Sequence, residues 1–176
     1  MKSFEEISEL LKNNFSDIQF EFHPEAKFEP YILVPANKID TVCLFLRDNN
    51  DLYFDSLINL SAVDDFNGNK IKDPQGNEIM QGGTMSIYYH LESIKFRHKL
   101  LVKVIVDRDN PSVNSVTSIW NCANWHEREA FDLFGINFNN HPDLRRILMP
   151  YDWEFGHPLK KDYQNPEFYQ GMRVPY

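Results

Sequence analysis

Prolines at Pro142, Pro150, Pro158 and Pro166 recur every eighth residue through the end of the chain. Each removes a backbone N–H and drives the residue before it out of helical space, so no long helix fits there. The stretch from Asn124 to Tyr163 reads NWHEREAFDLFGINFNNHPDLRRILMPYDWEFGHPLKKDY, with charges set against aromatics throughout. The last quarter is therefore expected to be extended, charged, aromatic and poorly able to pack on itself. Such a segment needs another surface to lie on.

That constraint divides the 176 residues into a globular domain, 1–138, and a C-terminal arm, 139–176, that docks on a partner. A single domain of this size can build a core without covalent staples. The net charge of −8 argues against nucleic acid, whose binders neutralise phosphates with basic stripes. From Asn139 onward five basic residues balance five acidic ones, so the acidic surplus belongs to the body. Aromatics at 14% exceed what a small core needs and point to buried contact surface elsewhere. Cys43 and Cys122 stand far apart and cannot supply a four-thiolate iron–sulfur site. No apolar run reaches the ~18 residues that span a bilayer, and the acidic, amphipathic start does not resemble a leader. A cytoplasmic protein is expected, with any membrane association made through partners.

Ser3 followed by Glu6 is a capping-box pattern that opens a helix to about Asn14, with Phe4, Ile7, Leu10 and Leu11 on one face. Ile18, Phe20 and Phe22 alternate with polar residues as in a half-buried strand, and a second strand spans about 29–34. Asn37 is placed to cap a helix carrying Ile39, Val42, Cys43 and Leu46. A strand is expected through Leu57–Val63, and a polar, turn-rich loop or hairpin over Asn67–Gly83. Met85, Ile87, Tyr89 and Leu91 alternate with polar residues, and so do Leu100, Val102, Val104 and Val106, which predicts an antiparallel pair. The whole predicts an α+β fold: a mixed or antiparallel sheet, helices on one face, and the proline-rich arm.

Ser115–Phe134 reads as one or two short helices ending at Gly135, a natural C′ glycine. Ala123, Glu127, Ala130, Phe131 and Phe134 share one stripe, which puts Glu127 in the middle of an apolar face. A carboxylate there is costly unless paired. Arg145 and Arg146 follow with the planar fork such a partner needs. Glu129 shares a second stripe with Trp125 and Asp132. The expectation is that Glu127, Glu129 and Asp132 anchor Arg145, Arg146, Lys160 and Lys161, or equivalent groups of another subunit. The alternative is a set of solvated helix charges worth a few tenths of a kcal/mol each.

His126, Glu129, His141, Asp143 and His157 invite a metal-hydrolase reading. The HExxH pattern fails, because Ala130 stands where its second histidine belongs. His141 and His157 each precede a proline in extended chain, and are better read as hydrogen-bonding at turns. Neither a dinucleotide fingerprint nor a phosphate loop is present, and no serine elbow appears. No catalytic residue, cofactor site or metal site is expected on this chain.

Glu127-Arg128-Glu129, Asp132, Phe134-Gly135, His141, Asp143 and Arg145-Arg146-Ile147-Leu148 together resemble the signature of the thirty-kilodalton subunit family of respiratory complex I, known in bacteria as the C subunit. Gly156-His157-Pro158-Leu159-Lys160-Lys161-Asp162-Tyr163 is similar to the family's second motif, although Arg is frequent there at the position of Lys160. The likeness runs from about Leu57 to Tyr163. It departs over Asn67–Gln81, which looks longer than the family's turn, and at Asn121-Cys122, where Pro and a small residue are common. The resemblance implies a structural subunit in the hydrophilic arm of a proton-translocating NADH:quinone oxidoreductase. FMN, iron–sulfur clusters and quinone would be held elsewhere in the complex, and this subunit would lie peripherally on the cytoplasmic face of the membrane. The C-terminal extension would wrap the large quinone-site subunit, the D subunit of the bacterial enzyme. An equivalent subunit of a membrane-bound hydrogenase, or of a ferredoxin-fed dehydrogenase, fits the same motifs.

Overall fold

The computed structural model describes every residue except Asp73, Gln75, Asn77, Pro175 and Tyr176. Helix α1 (Phe4–Asn14) opens on a complete capping box: the Glu6 N–H donates to Ser3 Oγ, and the Ser3 N–H donates to the Glu6 carboxylate at 2.7 Å. Strand β1 (Glu21–His23) is shorter than the alternation suggested, because Ile18 is buried in the turn ahead of it. Strand β2 (Tyr31–Leu33) leads to helix α2 (Ile39–Asp48), which buries Ile39, Val42, Cys43 and Leu46 as expected. Asn37 is not its cap. Lys38 holds that position without a side-chain bond, and the Asn37 carbonyl accepts from the Asn114 amide instead.

Strand β3 (Ser56–Asp64) is followed by the hairpin β4 (Asn69–Lys72) and β5 (Glu78–Gln81), then by the long strands β6 (Thr84–Ser93) and β7 (His98–Asp107). The main sheet has the order β1-β2-β7-β6-β3, antiparallel except for the parallel β2–β7 pair. The β6–β7 register sets Ile87 opposite Val104 and Tyr89 opposite Val102, so the apolar halves of both strands line one buried face. Ile7 and Leu11 of α1 and Val42 and Leu46 of α2 close over that face in a single core. Alternate side chains point the other way; Lys103 Nζ lies 5.5 and 5.2 Å from the Tyr31 and Tyr88 rings there.

Strand β8 (Ser112–Asn114), helix α3 (Ala123–Phe134) and strand β9 (Asn137–Asn139) form a second unit, with β8 and β9 paired in parallel and α3 against β3. The helix expected from Ser115 begins eight residues later, because Ser115 and the Val116 N–H are turned onto the Glu127 carboxylate. Gly135 ends α3 at φ 80°, as anticipated. Beyond β9 the only regular structure among the described residues is the two-residue pair β10 (Phe168–Tyr169) and β11 (Met172–Arg173). Parts of this segment lie against its own body: the Leu148 N–H donates to Asp132, the Lys161 N–H donates to Asp64, and Asp162 pairs with Arg108.

Candidate functional site

Two buried carboxylates of α3 organise the site. Asp132 Oδ2 accepts three consecutive backbone N–H groups, from Ile147, Leu148 and Met149, at 3.0, 2.8 and 2.8 Å. Its Oδ1 accepts from Arg146 at 2.7 Å. Burial alone would raise this carboxyl, but those N–H donors and the Arg146 guanidinium outweigh it and hold Asp132 below its ordinary value. Arg146 also reaches the Asp132 and Gly156 carbonyls, so one guanidinium ties the helix end to two points of the strap. His157 Nδ1 donates to the Asp132 carbonyl at 2.9 Å. Gly135 is required here twice over: its φ is positive, and a Cβ would stand 2.7 Å from the His157 ring.

Glu127 behaves differently from what its neighbourhood in sequence suggested. Neither Arg145 nor Arg146 reaches it. Its carboxylate meets Ser115 Oγ at 2.6 Å and the Val116 N–H at 2.7 Å, both neutral partners. Burial dominates, and its pKa is pushed up to about 7 despite those two bonds. Arg145 instead pairs with Asp143 at the surface, 3.0 Å apart. Arg128, also buried, donates to the carbonyls of Arg145 and Arg146 and lies 5.2 Å from the Trp125 ring. His141 takes the Asp143 N–H on Nδ1 and faces the Asn124 carbonyl with Nε2. Both ring nitrogens are thus used at a turn, and burial lowers its pKa.

Glu129 is exposed, and forms no ion pair among the described residues. The stripe it was assigned with Trp125 and Asp132 is not one surface, since Trp125 is 62% exposed and Asp132 fully buried. Glu129 lines a groove of about 350 Å³ with His126, Ala130, Phe134, Leu159 and residues 59–62 of β3.

The second motif is held by residues that sequence reasoning did not single out. Arg108, the residue after β7, donates to both oxygens of Asp64 at 2.9 Å and to Asp162 at 2.6 Å. It is only 3% exposed, and Asp64 1%. Asp162 further accepts the Met80 N–H, while the Lys161 N–H donates to Asp64. For Asp64 and Asp162 burial is again outweighed by the Arg108 guanidinium and backbone donors, and both lie below their ordinary values. Lys160 and Lys161 form no ion pair with α3 carboxylates; Lys160 is half-buried and its pKa is lowered by burial, then by the Arg108 charge. Pro158 closes the turn before Leu159, whose N–H donates to the Leu133 carbonyl. One signal for Arg108 was available: it continues the even-numbered buried series of β7 from Val104 and Val106.

Among the described residues no three metal-ligating side chains come together, and no helix is long and apolar enough to cross a membrane. Fold and site together define a small α+β subunit whose charged motifs fasten a C-terminal strap to a sheet. The model of the family described as the 30 Kd subunit of respiratory-chain NADH dehydrogenase matches residues 32–169, and the chain belongs to that family. A relative from Chlorobium phaeobacteroides, the C subunit of NADH-quinone oxidoreductase, is 38% identical over 169 residues, covering 96% of this chain and 93% of its own. The C/D subunit of NADH-quinone oxidoreductase from Acinetobacter baumannii is 38% identical over 159 residues, which is 89% of this chain but 25% of that one. Among solved structures, the trypsin-resistant fragment of Nqo5 has the same fold at TM-score 0.55 and 23% identity, covering 78% of this chain and 98% of the fragment.

Proposed function

We propose that this chain is a non-catalytic structural subunit in the hydrophilic arm of an NADH:quinone oxidoreductase, seated peripherally on the cytoplasmic face. In this reading FMN, iron–sulfur centres and quinone are carried by other subunits, and this one holds their spacing. Its body, 1–138, presents the segment 139–176 to the large quinone-site subunit, the D subunit. The observation that carries the proposal is the strap's two-sidedness. Its inner side is fixed by Asp132, Asp64 and Arg108, while Leu148, Tyr151, Phe155, Leu159, Phe168 and Met172 stay exposed. Outward apolar side chains on a segment tied to the body from its other side suit an obligate interface. The C/D relative supports the choice of partner, since there the matching region is one part of a longer chain.

The test is native purification with a Tyr151→Ser, Phe168→Ser double variant of the full chain. Both side chains face outward, so melting should be unchanged while recovery of the large subunit falls. Undiminished recovery would refute the docking surface. Deleting Asn139–Tyr176 should also abolish assembly, but that truncation removes the partners of Asp132, Asp64 and Arg108 and is expected to weaken the body as well.

A further inference from the structure

Glu127 is a fully buried carboxyl with no cation beside it among the described residues. The titratable groups that share its electrostatic surroundings are neutral or acidic. Helix α2 contributes Cys43, with Asp40 beyond, and β6 contributes Tyr89. Tyr89 Oη is buried without a hydrogen-bond partner. On α3 itself, Arg128 is turned to the carbonyls of Arg145 and Arg146, and His126 lines the groove beside β3. What remains is a line of hydroxyls. Glu127 Oε2 lies 2.6 Å from Ser115 Oγ, and Ser115 Oγ lies 2.8 Å from Thr117 Oγ1. Thr117 is half-buried and stands on the rim of a groove of about 480 Å³ with Ser118, Asn121, Asn124, Trp125 and Asn140.

We propose that Glu127, Ser115 and Thr117 form a proton-binding site and its relay, through which the buried carboxyl exchanges a proton with the groove at Thr117. A hydroxyl can donate and accept at once, so this chain has two polarities. In the acid form the Glu127 O–H donates to Ser115 Oγ, and the Ser115 O–H donates to Thr117 Oγ1. When the carboxyl ionises, its proton passes to Ser115, the Ser115 proton passes to Thr117, and the Thr117 proton leaves to water in the groove. After the transfer the Thr117 O–H points back to Ser115 and the Ser115 O–H to the carboxylate, so both heavy-atom distances are used in either state. The Val116 N–H donates to Oε1 throughout. A rise of this carboxyl to about 7 fits a site that changes charge across the neutral range.

The experiment is carbon NMR of the full chain labelled at glutamate Cδ, followed from pH 5 to 9, with Glu127→Gln to assign the resonance. Should that variant fail to fold, through-bond assignment of the wild type identifies the same carbon. The proposal expects one carboxyl signal that titrates around neutrality, and expects Thr117→Val to keep that titration while slowing proton exchange on the order of 100-fold. A Glu127 signal already ionised at pH 5 would overturn the site. Unchanged exchange in Thr117→Val would overturn the relay.

Discussion

Glu127 and Asp132 lie on the same helix, five residues apart, and both are fully buried. Their chemistry diverges completely. Asp132 collects three backbone N–H groups and a guanidinium and stays ionised; Glu127 collects one hydroxyl and one N–H and is pushed up to about 7. The lesson is that burial does not decide the state of a carboxyl; the donors waiting for it do. The donors at Asp132 come from the strap, so that residue is an anchor. Those at Glu127 come from the turn before its own helix, so that residue shapes where α3 begins.

The largest effect is expected at the strap's other anchor. Arg108→Met leaves Asp64 buried without its cation and frees Asp162; a loss of about 3–5 kcal/mol is expected in denaturant unfolding. A loss below ~1 kcal/mol would mean that the ion triad contributes little. Next comes pH. Because the folded Glu127 carboxyl is raised from 4.5 to about 7, its own contribution to stability is full below about 4.5 and is lost as pH rises through 7, by about 3 kcal/mol in all. The lowered Asp64, Asp132 and Asp162 have the opposite sign: their stabilisation is present above the ordinary carboxylate range and is lost as pH falls through their depressed values. Glu127→Gln should remove the alkaline limb and leave the acid limb, in melting curves taken from pH 3 to 9.

Smaller losses are expected at Asp132 itself and at the end of α3. Asp132→Asn keeps the shape but sets an amide donor against Arg146 or against the three N–H groups, at a cost of about 1.5–3 kcal/mol. Gly135→Ala, at positive φ and against the His157 ring, should cost about 1–3 kcal/mol and broaden the His157 ring resonances.

Interactions local in sequence leave a readable pattern, and those between distant residues do not. The capping box at Ser3, the α2 stripe and the β6–β7 alternation are local patterns, and each was legible. The burial of Glu127 was legible too, from its place on an apolar stripe. Its partner was not, because planar guanidinium groups nearby in sequence are more conspicuous than a serine and a backbone N–H twelve and eleven residues upstream. Asp162 belonged to a recognisable motif, yet its partner Arg108 is 54 residues away and Asp64 farther still. Nothing in the spacing links them. Prolines correctly excluded helix from the strap, but backbone N–H groups captured by Asp132 supplied a docking surface that composition could not show.

Amide hydrogen exchange on the isolated full-length chain tests most directly whether the strap is held on its own body. The N–H groups of Leu148, Met149 and Lys161 donate to buried carboxylates, so they should be protected to nearly the same degree as the middle of α3, and lose that protection in Asp132→Asn or Arg108→Met. Exchange at open-chain rates in the wild-type protein would show that the strap is free until a partner arrives and is not anchored by Asp132 and Arg108.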